Sequence, residues 1–289
     1  MHYEGNMIRP PSEADSILLQ VTTGCSRNKC TFCAAYKGQR FKIKSDEIIF
    51  ADIKWAAQYC RRQSRVFLCD GDALIIPQKR LEKILEGIRE HLPWVSRVGT
   101  YANAKSLSMK SLDELKALRA FGLKIAYMGL ETGDDLTLKA VCKGADSAMM
   151  IEQGRKCREA GIALSITVLL GLAGPKRSFE HAKATGEVLS AIDPEFVGAL
   201  SLMLCPGTPM WDQHERGEFE MMGPKELLKE LGAMIAHTNL TNGLFHANHA
   251  SNYLPIRARL PRDKEKTLAL IQDALEGRVG LRPEWARAL

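Results

Sequence analysis

An α/β fold built on parallel strands is what this sequence predicts, and three observations predict it. Six short runs rich in β-branched and apolar residues recur along the chain. Longer stretches with helical spacing of apolar residues separate them. Each separation is long enough for a covering helix, which parallel neighbours require. The strands are read at 16–23 (SILLQVTT), 65–70 (RVFLCD), 96–102 (SRVGTYA), 124–130 (KIAYMGL), 162–171 (IALSITVLLG) and 195–204 (EFVGALSLML). Helices are read at 45–63, 78–91, 108–121, 146–160 and 176–191. In the third helix Leu112, Leu115, Leu118 and Phe121 share one face behind a capping box, Ser111-x-x-Glu114. Gly122 and Gly161 stand where helix C-caps precede the next strand.

The pattern alone leaves two architectures open, a doubly wound open sheet and a complete or partial (β/α) barrel. Both put function in the loops at the carboxyl ends of the strands. The notable residues fall there: cysteines after strand one, Asp70-Gly71-Asp72 after strand two, Tyr101 and Asn103 at strand three. Glu131 and Gly133 follow strand four, Gly171 and Gly174 strand five, and Pro206-Gly207-Thr208-Pro209 strand six. That concentration favours an enzyme. No repeat or Ser/Gly-rich linker divides the 289 residues.

Composition narrows the class. At 45% hydrophobic and 26% charged residues the chain can bury a sizeable core. The formal charge of +6 is too small, and too evenly spread, to point to nucleic acid. No apolar run approaches the roughly 20 residues that cross a bilayer. The N-terminus, MHYEGNMIRPPSEAD, lacks a signal-peptide pattern, so a cytoplasmic location is expected.

Of eight cysteines, three lie within nine residues, in Gly24-Cys25-Ser26-Arg27-Asn28-Lys29-Cys30-Thr31-Phe32-Cys33-Ala34-Ala35-Tyr36. A disulfide framework does not suit so long a chain without a secretory signal. Three thiolates on one short loop can serve an inorganic centre. Structural zinc normally closes with a fourth ligand at recognisable spacing, yet the next histidine is His91 and no second C-x-x-C follows. Three cysteines suit a [4Fe–4S] cluster with one iron left open, and zinc stays as the alternative. Cys60, Cys69, Cys142, Cys157 and Cys205 have no paired ligand spacing and read as small buried hydrophobes.

With the C-x4-C-x2-C loop after a first strand, Phe32 just before the third cysteine, and the later strand-end motifs, the chain resembles the radical S-adenosylmethionine (SAM) superfamily over about residues 16–210. The usual family spacing is C-x3-C-x2-C, one residue shorter. The resemblance implies a partial (β/α)6 TIM-like barrel at 16–213, after an N-terminal segment 1–15. It implies a [4Fe–4S] cluster on Cys25, Cys30 and Cys33 and SAM as second cofactor. By the same resemblance Asp70, Gly71 and Asp72 stand where the family receives the methionyl ammonium. Tyr36 matches an aromatic beside the adenine, Glu131 a ribose-binding carboxylate, Lys143 a cation for the SAM carboxylate, and Gly171 a segment along the adenine. Tyr101 and Asn103 join them as cofactor-site candidates at strand three. The reaction implied is reductive cleavage of SAM to a 5′-deoxyadenosyl radical that abstracts a hydrogen atom from a substrate. A second cluster or a cobalamin domain finds no cysteines or length here, so a small or flexible organic substrate is expected. The rival from another class is a non-catalytic iron–sulfur or zinc scaffold or sensor.

Two stretches lie outside these motifs. Six basic residues and no acidic one stand between Arg27 and Lys44 (Arg27, Lys29, Lys37, Arg40, Lys42, Lys44). They read as a solvated loop, or as a docking surface for an acidic flavodoxin- or ferredoxin-type electron donor. RNA modification, known within the family, finds no aromatic-interleaved basic stripe. Residues 214–289 read as a helical extension closing the barrel, with a helix near 224–240 and another beginning near Pro261. Between them His246, Asn248, His249, Ser251 and Asn252 crowd seven residues, bounded by Phe245 and Tyr253. These five are expected to line the substrate pocket.

Overall fold

The computed structural model describes residues 1–288, which form two compact units. The first unit comprises Met1–Asn28, Ala35–Met128 and Lys156–Leu164. The second comprises Lys29–Ala34, Gly129–Arg155 and Ser165 onwards. Among the described residues no helix is long and apolar enough to cross a membrane.

In the first unit β1 (Ile17–Gln20) leads directly into β2 (Thr22–Thr23), which pairs antiparallel with β3 (Lys42–Ile43). The expected strand 16–23 is therefore two short strands. Val21 carries the junction, its N–H donating to Cys69 and its carbonyl accepting from Lys44. The cysteine loop is the excursion between β2 and β3. Helix α1 (Asp46–Tyr59) starts at Ser45, whose Oγ accepts from Ile48. β4 (Arg65–Cys69), α2 (Gln78–His91), β5 (Arg97–Ala102), α3 (Ala104–Ser108), α4 (Leu112–Ala120) and β6 (Leu123–Glu131) follow, β6 belonging to the second unit from Gly129 on. β1, β4, β5 and β6 pair in that order, all parallel. β4 is buried on both faces from Val66 to Cys69, the mark of a parallel sheet covered by helices. The expected helix 108–121 is α4, which starts later because the Ser111 capping box begins it, and the short α3 before it starts on a capping box of its own at Asn103. Beneath the strands the buried Glu13 carboxylate accepts from Arg97, Tyr127 and Ser16, each at 2.5 Å.

The second unit runs through α5 (Asp135–Ala140), α6 (Ser147–Glu159, ending in the first unit), β7 (Ala163–Leu170), α7 (Ser178–Ile192), β8 (Phe196–Ser201), α8 (Pro209–Glu215) and α9 (Pro224–His237). β9 (Leu244–His246), β10 (Arg257–Arg259) and α10 (Lys264–Leu275) complete it. β7, β8 and β9 are parallel, and β10 returns antiparallel to β9. In β7 and β8 every second residue is buried. α9 packs on both α7 and α10. β9 and β10 were not legible in the sequence: three residues are too few to show a period. The last helix begins at Lys264, not at Pro261, which is held in a turn whose carbonyl accepts the Lys264 N–H.

The loop between β9 and β10 is fastened from within. Asn252 is buried; its Nδ2 donates to the carbonyls of Ala199 and Ala247, and its Oδ1 accepts from Ser201 Oγ at 2.8 Å. Buried Ser251 Oγ accepts the Ser201 N–H. Arg282 Nη1 donates to three loop carbonyls, those of His249, Ala250 and Asn252. Asn252→Ala strands three partners, each worth about 1–3 kcal/mol when left unsatisfied. It is expected to lower stability by about 3 kcal/mol or more, checked by urea denaturation, whereas Asn248→Ala, at an exposed position, leaves it within about 0.5 kcal/mol.

Candidate active site

The residues singled out by sequence fall into two sets, one in each unit. In the first unit the turn Asp70-Gly71-Asp72 follows β4 and lies against the start of the cysteine loop. Gly71 N–H donates to Gly24. A methyl group at position 71 would stand 3.0 Å from both Cys25 Cβ and Tyr36 Cε2. Glycine is required there for close approach, since its φ lies outside the left-handed range. Asp72 Oδ2 accepts from Ser26 Oγ and Asn103 Nδ2, each at 2.6 Å. Asp70 Oδ2 accepts from Gln20 Nε2 at 2.8 Å. The second oxygen of each aspartate, Oδ1, is buried without a hydrogen-bond partner. Burial pushes both carboxyls above the usual range, against the lowering effect of these donors. Tyr36 is buried, and desolvation with the charge of Asp70 pushes its phenol well up.

Asn103 thus serves two ends, capping α3 and steering Asp72. Tyr101 sits differently. Its ring packs edge-on against Phe67 at 5.1 Å and Tyr127 at 6.3 Å, an aromatic cluster with the geometry of a core.

In the second unit the segment from Cys30 to Cys33 is held by its backbone. Thr31 N–H donates to Val141, and Met210 N–H donates to Thr31. Phe32 packs against a buried cluster of Val141, Leu172, Leu202 and Met210. All three cysteines of the loop are partly exposed. At the end of β6, Glu131 takes φ +67, a left-handed conformation that costs a non-glycine residue free energy and is characteristic of functional sites. Its Oε1 pairs with Lys143 Nζ at 2.7 Å. A side chain on Gly129 would collide with both members of this pair. Next, Asp134 caps α5 and pairs with Arg177 at 2.8 Å. Gly171, at φ +81, turns the chain at the end of β7.

Among the five C-terminal candidates the structure separates two kinds. Ser251 and Asn252 are buried and fasten the loop, hydrogen-bonding to Ser201 and Ala199 of β8 and, within the loop, to His249 and Ala247. Asn248 is exposed, and His246 and His249 are partly so. His246 Nε2 is buried without a hydrogen-bond partner. Burial, with Arg257 beside His246 and Arg282 beside His249, lowers both imidazoles and keeps them neutral. The basic stretch is also smaller than it reads: Lys44 is buried, donating to Gln20 and His2, and Lys42 pairs with Glu4 at 2.6 Å.

The family model described as Radical SAM superfamily matches residues 19–187, more than half of the chain. The chain belongs to the radical SAM superfamily. The matched domain is an enzyme domain whose cofactors are a [4Fe–4S] cluster and SAM. Relatives include the heme chaperone HemW of Bacillus subtilis, 21% identical over 189 residues, covering 65% of this chain and 49% of that protein. Biotin synthase of Caulobacter vibrioides is 28% identical over 209 residues, covering 70% and 58%. The chain thus spans about half the length of the curated relatives it matches. Among solved structures, coproporphyrinogen III oxidase HemN from Escherichia coli aligns with a TM-score of 0.56 at 16% identity, covering 76% of this chain and 51% of that one. The methyltransferase TsrM from Kitasatospora setae aligns at 0.55 and 21%, covering 68% and 38%. At these identities the likeness concerns fold, and it bears out the expected α/β class: mostly parallel strands with surrounding helices, consistent with a partial TIM-like radical SAM core.

Three cysteines on one loop are the donor type that a [4Fe–4S] cluster takes. Among the described residues no three His, Cys, Asp or Glu side chains gather around a single metal-ion position. A cubane does not ask for that, because each thiolate binds its own iron.

The Asp134 carboxyl is raised by burial but lowered more by Arg177 and Thr137, so its folded pKa lies below the ordinary 3.8. A depressed carboxyl contributes stability above its unfolded pKa and loses it as pH falls through the folded one. Asp134→Asn, which retains a capping side chain, is therefore expected to unfold at lower urea than wild type at pH 7. The gap closes as pH falls below 3.8, as parallel titrations at pH 7 and in the acid range will show.

Proposed function

We propose that this chain reductively cleaves SAM at a [4Fe–4S] cluster ligated by Cys25, Cys30 and Cys33, and directs the resulting reactivity to a hydrogen atom of a small or flexible organic substrate. The observation that carries the reading is the C-x4-C-x2-C loop inside the family-matched region, with Thr31 and Phe32 seated in a core while the thiols stay partly exposed. When bound, cluster and SAM supply one-electron cleavage of a carbon–sulfur bond and a 5′-deoxyadenosyl radical.

The chain's own residues bind and orient. The unpartnered Oδ1 atoms of Asp70 and Asp72 suit an ammonium group, and Gly71 gives it room beside Cys25. Glu131 accepts from ribose hydroxyls, a task carboxylates perform in nucleotide sites. Lys143 holds one oxygen of Glu131, so its part in this reading is to set that carboxylate, ahead of binding the SAM carboxylate. Gly171 and Tyr36 border the adenine. The neutral His246 and His249, with Asn248, present polar groups to the substrate from a loop that Asn252 and Ser251 hold. An acidic flavodoxin- or ferredoxin-type donor would meet Arg27, Lys29, Lys37 and Arg40. A cytoplasmic location belongs to this reading.

Anaerobic reconstitution is expected to load about four irons per chain, and dithionite with SAM to yield methionine and 5′-deoxyadenosine. A loaded protein that releases neither overturns the catalytic reading in favour of a scaffold or sensor. Cys25→Ala, Cys30→Ala and Cys33→Ala should each lose the iron and Cys60→Ala should keep it; iron loss in Cys60→Ala would refute the ligand set. Glu131→Ala should retain iron but bind SAM about ten- to a hundredfold more weakly, the loss of one charge-assisted hydrogen bond of roughly 1.5–3 kcal/mol.

A further inference from the structure

Glu230 sits on α9, outside the family-matched region, and is 1% exposed among the apolar Leu227, Leu228, Leu231 and Met234. A carboxylate in such surroundings persists only where donors meet it. Oε1 accepts the N–H of Gly171 at 2.6 Å, and Oε2 accepts from Ser178 Oγ at 2.6 Å. His181 of α7, fully buried, places Nε2 at 3.4 Å from the same Oε1. Its other nitrogen, Nδ1, lies 2.6 Å from Thr132 Oγ1. That hydroxyl accepts the N–H of Asp134 and has its own hydrogen available to Nδ1, while the buried Nε2 lies near Glu230 Oε1 without a hydrogen bond to it. One residue on, Gly133 N–H donates to Thr185 Oγ1, which donates to the carbonyl of His181. Leu227 presses on Gly171 from the same helix; a methyl at 171 would stand 3.0 Å from its Cδ2.

A single buried chain of contacts therefore runs Gly171–Glu230–His181–Thr132–Asp134. Its two ends are the turn after β7 and the residues just past Glu131. We propose that Glu230 and His181 are positioning residues that hold these two strand-end segments in one fixed relation, so that the nucleoside end of SAM meets both together. The proposal rests on the reading of Glu131 and Gly171 as SAM-facing. Neither residue touches SAM in it. Glu230 acts through the Gly171 amide and His181 through the Thr132 hydroxyl.

The test compares Glu230→Ala, Glu230→Gln and His181→Gln with Leu231→Ala, a core truncation on the same helix. SAM affinity is read by equilibrium dialysis on reconstituted protein, and hydrogen exchange is read at residues 132–134 and 171. Glu230→Ala should keep its iron, lose SAM affinity about tenfold, and lose exchange protection at Gly171. Glu230→Gln, which still offers a carbonyl oxygen to Gly171, should recover most of that affinity. His181→Gln should lose protection at 132–134 while keeping it at 171, which remains decisive if Glu230→Ala does not fold. Leu231→Ala should be destabilised yet bind SAM as wild type does. Wild-type affinity in Glu230→Ala, or in His181→Gln where Glu230→Ala does not fold, overturns the proposal, as does an equal loss in Leu231→Ala. If loaded wild-type protein itself binds no SAM, the underlying reading of the site falls and the proposal with it, a result distinct from any difference among variants.

Discussion

A carboxylate withdrawn from water must be met by donors, and this chain uses that constraint to tie together segments far apart in sequence. Glu13 gathers Ser16, Arg97 and Tyr127 beneath the first strands. Asp72 joins Ser26, next to the first cysteine, to Asn103 at the end of β5. Glu230 joins the turn after β7 to α7. Each of these carboxylates would be costly alone. Each is instead a directional fastening, which apolar packing cannot supply, because dispersion and hydrophobic burial do not select one hydrogen-bond geometry.

Fastening of this kind matters most where the backbone is irregular. The loops at the carboxyl ends of the strands lack a ladder to satisfy their amides, so side chains must do it. Thr185 serves the Gly133 amide, Asp134 that of Thr137, and Glu230 that of Gly171. The Cys30–Cys33 segment is held by the alternative means, two backbone hydrogen bonds through Thr31 and the Phe32 ring in an apolar cluster.

The C-terminal residues obey the same logic on a different scaffold. The loop 247–253 has little hydrophobic content to anchor it. Asn252 and Arg282 take up its carbonyls, and the Arg287 guanidinium stacks 4.1 Å over the Tyr253 ring. The polar density of this stretch thus divides into groups consumed by the loop itself and groups left over. Residue type cannot separate the two, since an asparagine that fastens and one that binds substrate look alike in a sequence.

The sequence by itself determined the α/β class, the order and approximate extent of the long elements, the Ser111 capping box and the cysteine motif with its family. These depend on local period, caps and covalent spacing, all of which are written in neighbouring residues. Only the tertiary structure decided that Lys143 faces Glu131, that Asn103 steers Asp72, that Lys44 is buried and that Ser251 and Asn252 fasten a loop. It alone revealed β9 and β10, whose three residues each carry no period, and the Gly171–Glu230–His181–Thr132 chain. Those facts depend on which distant segments meet. A hydrogen bond between residues some fifty positions apart leaves no mark on the spacing of either one, and the free energy that makes it form exists only once burial has removed the water.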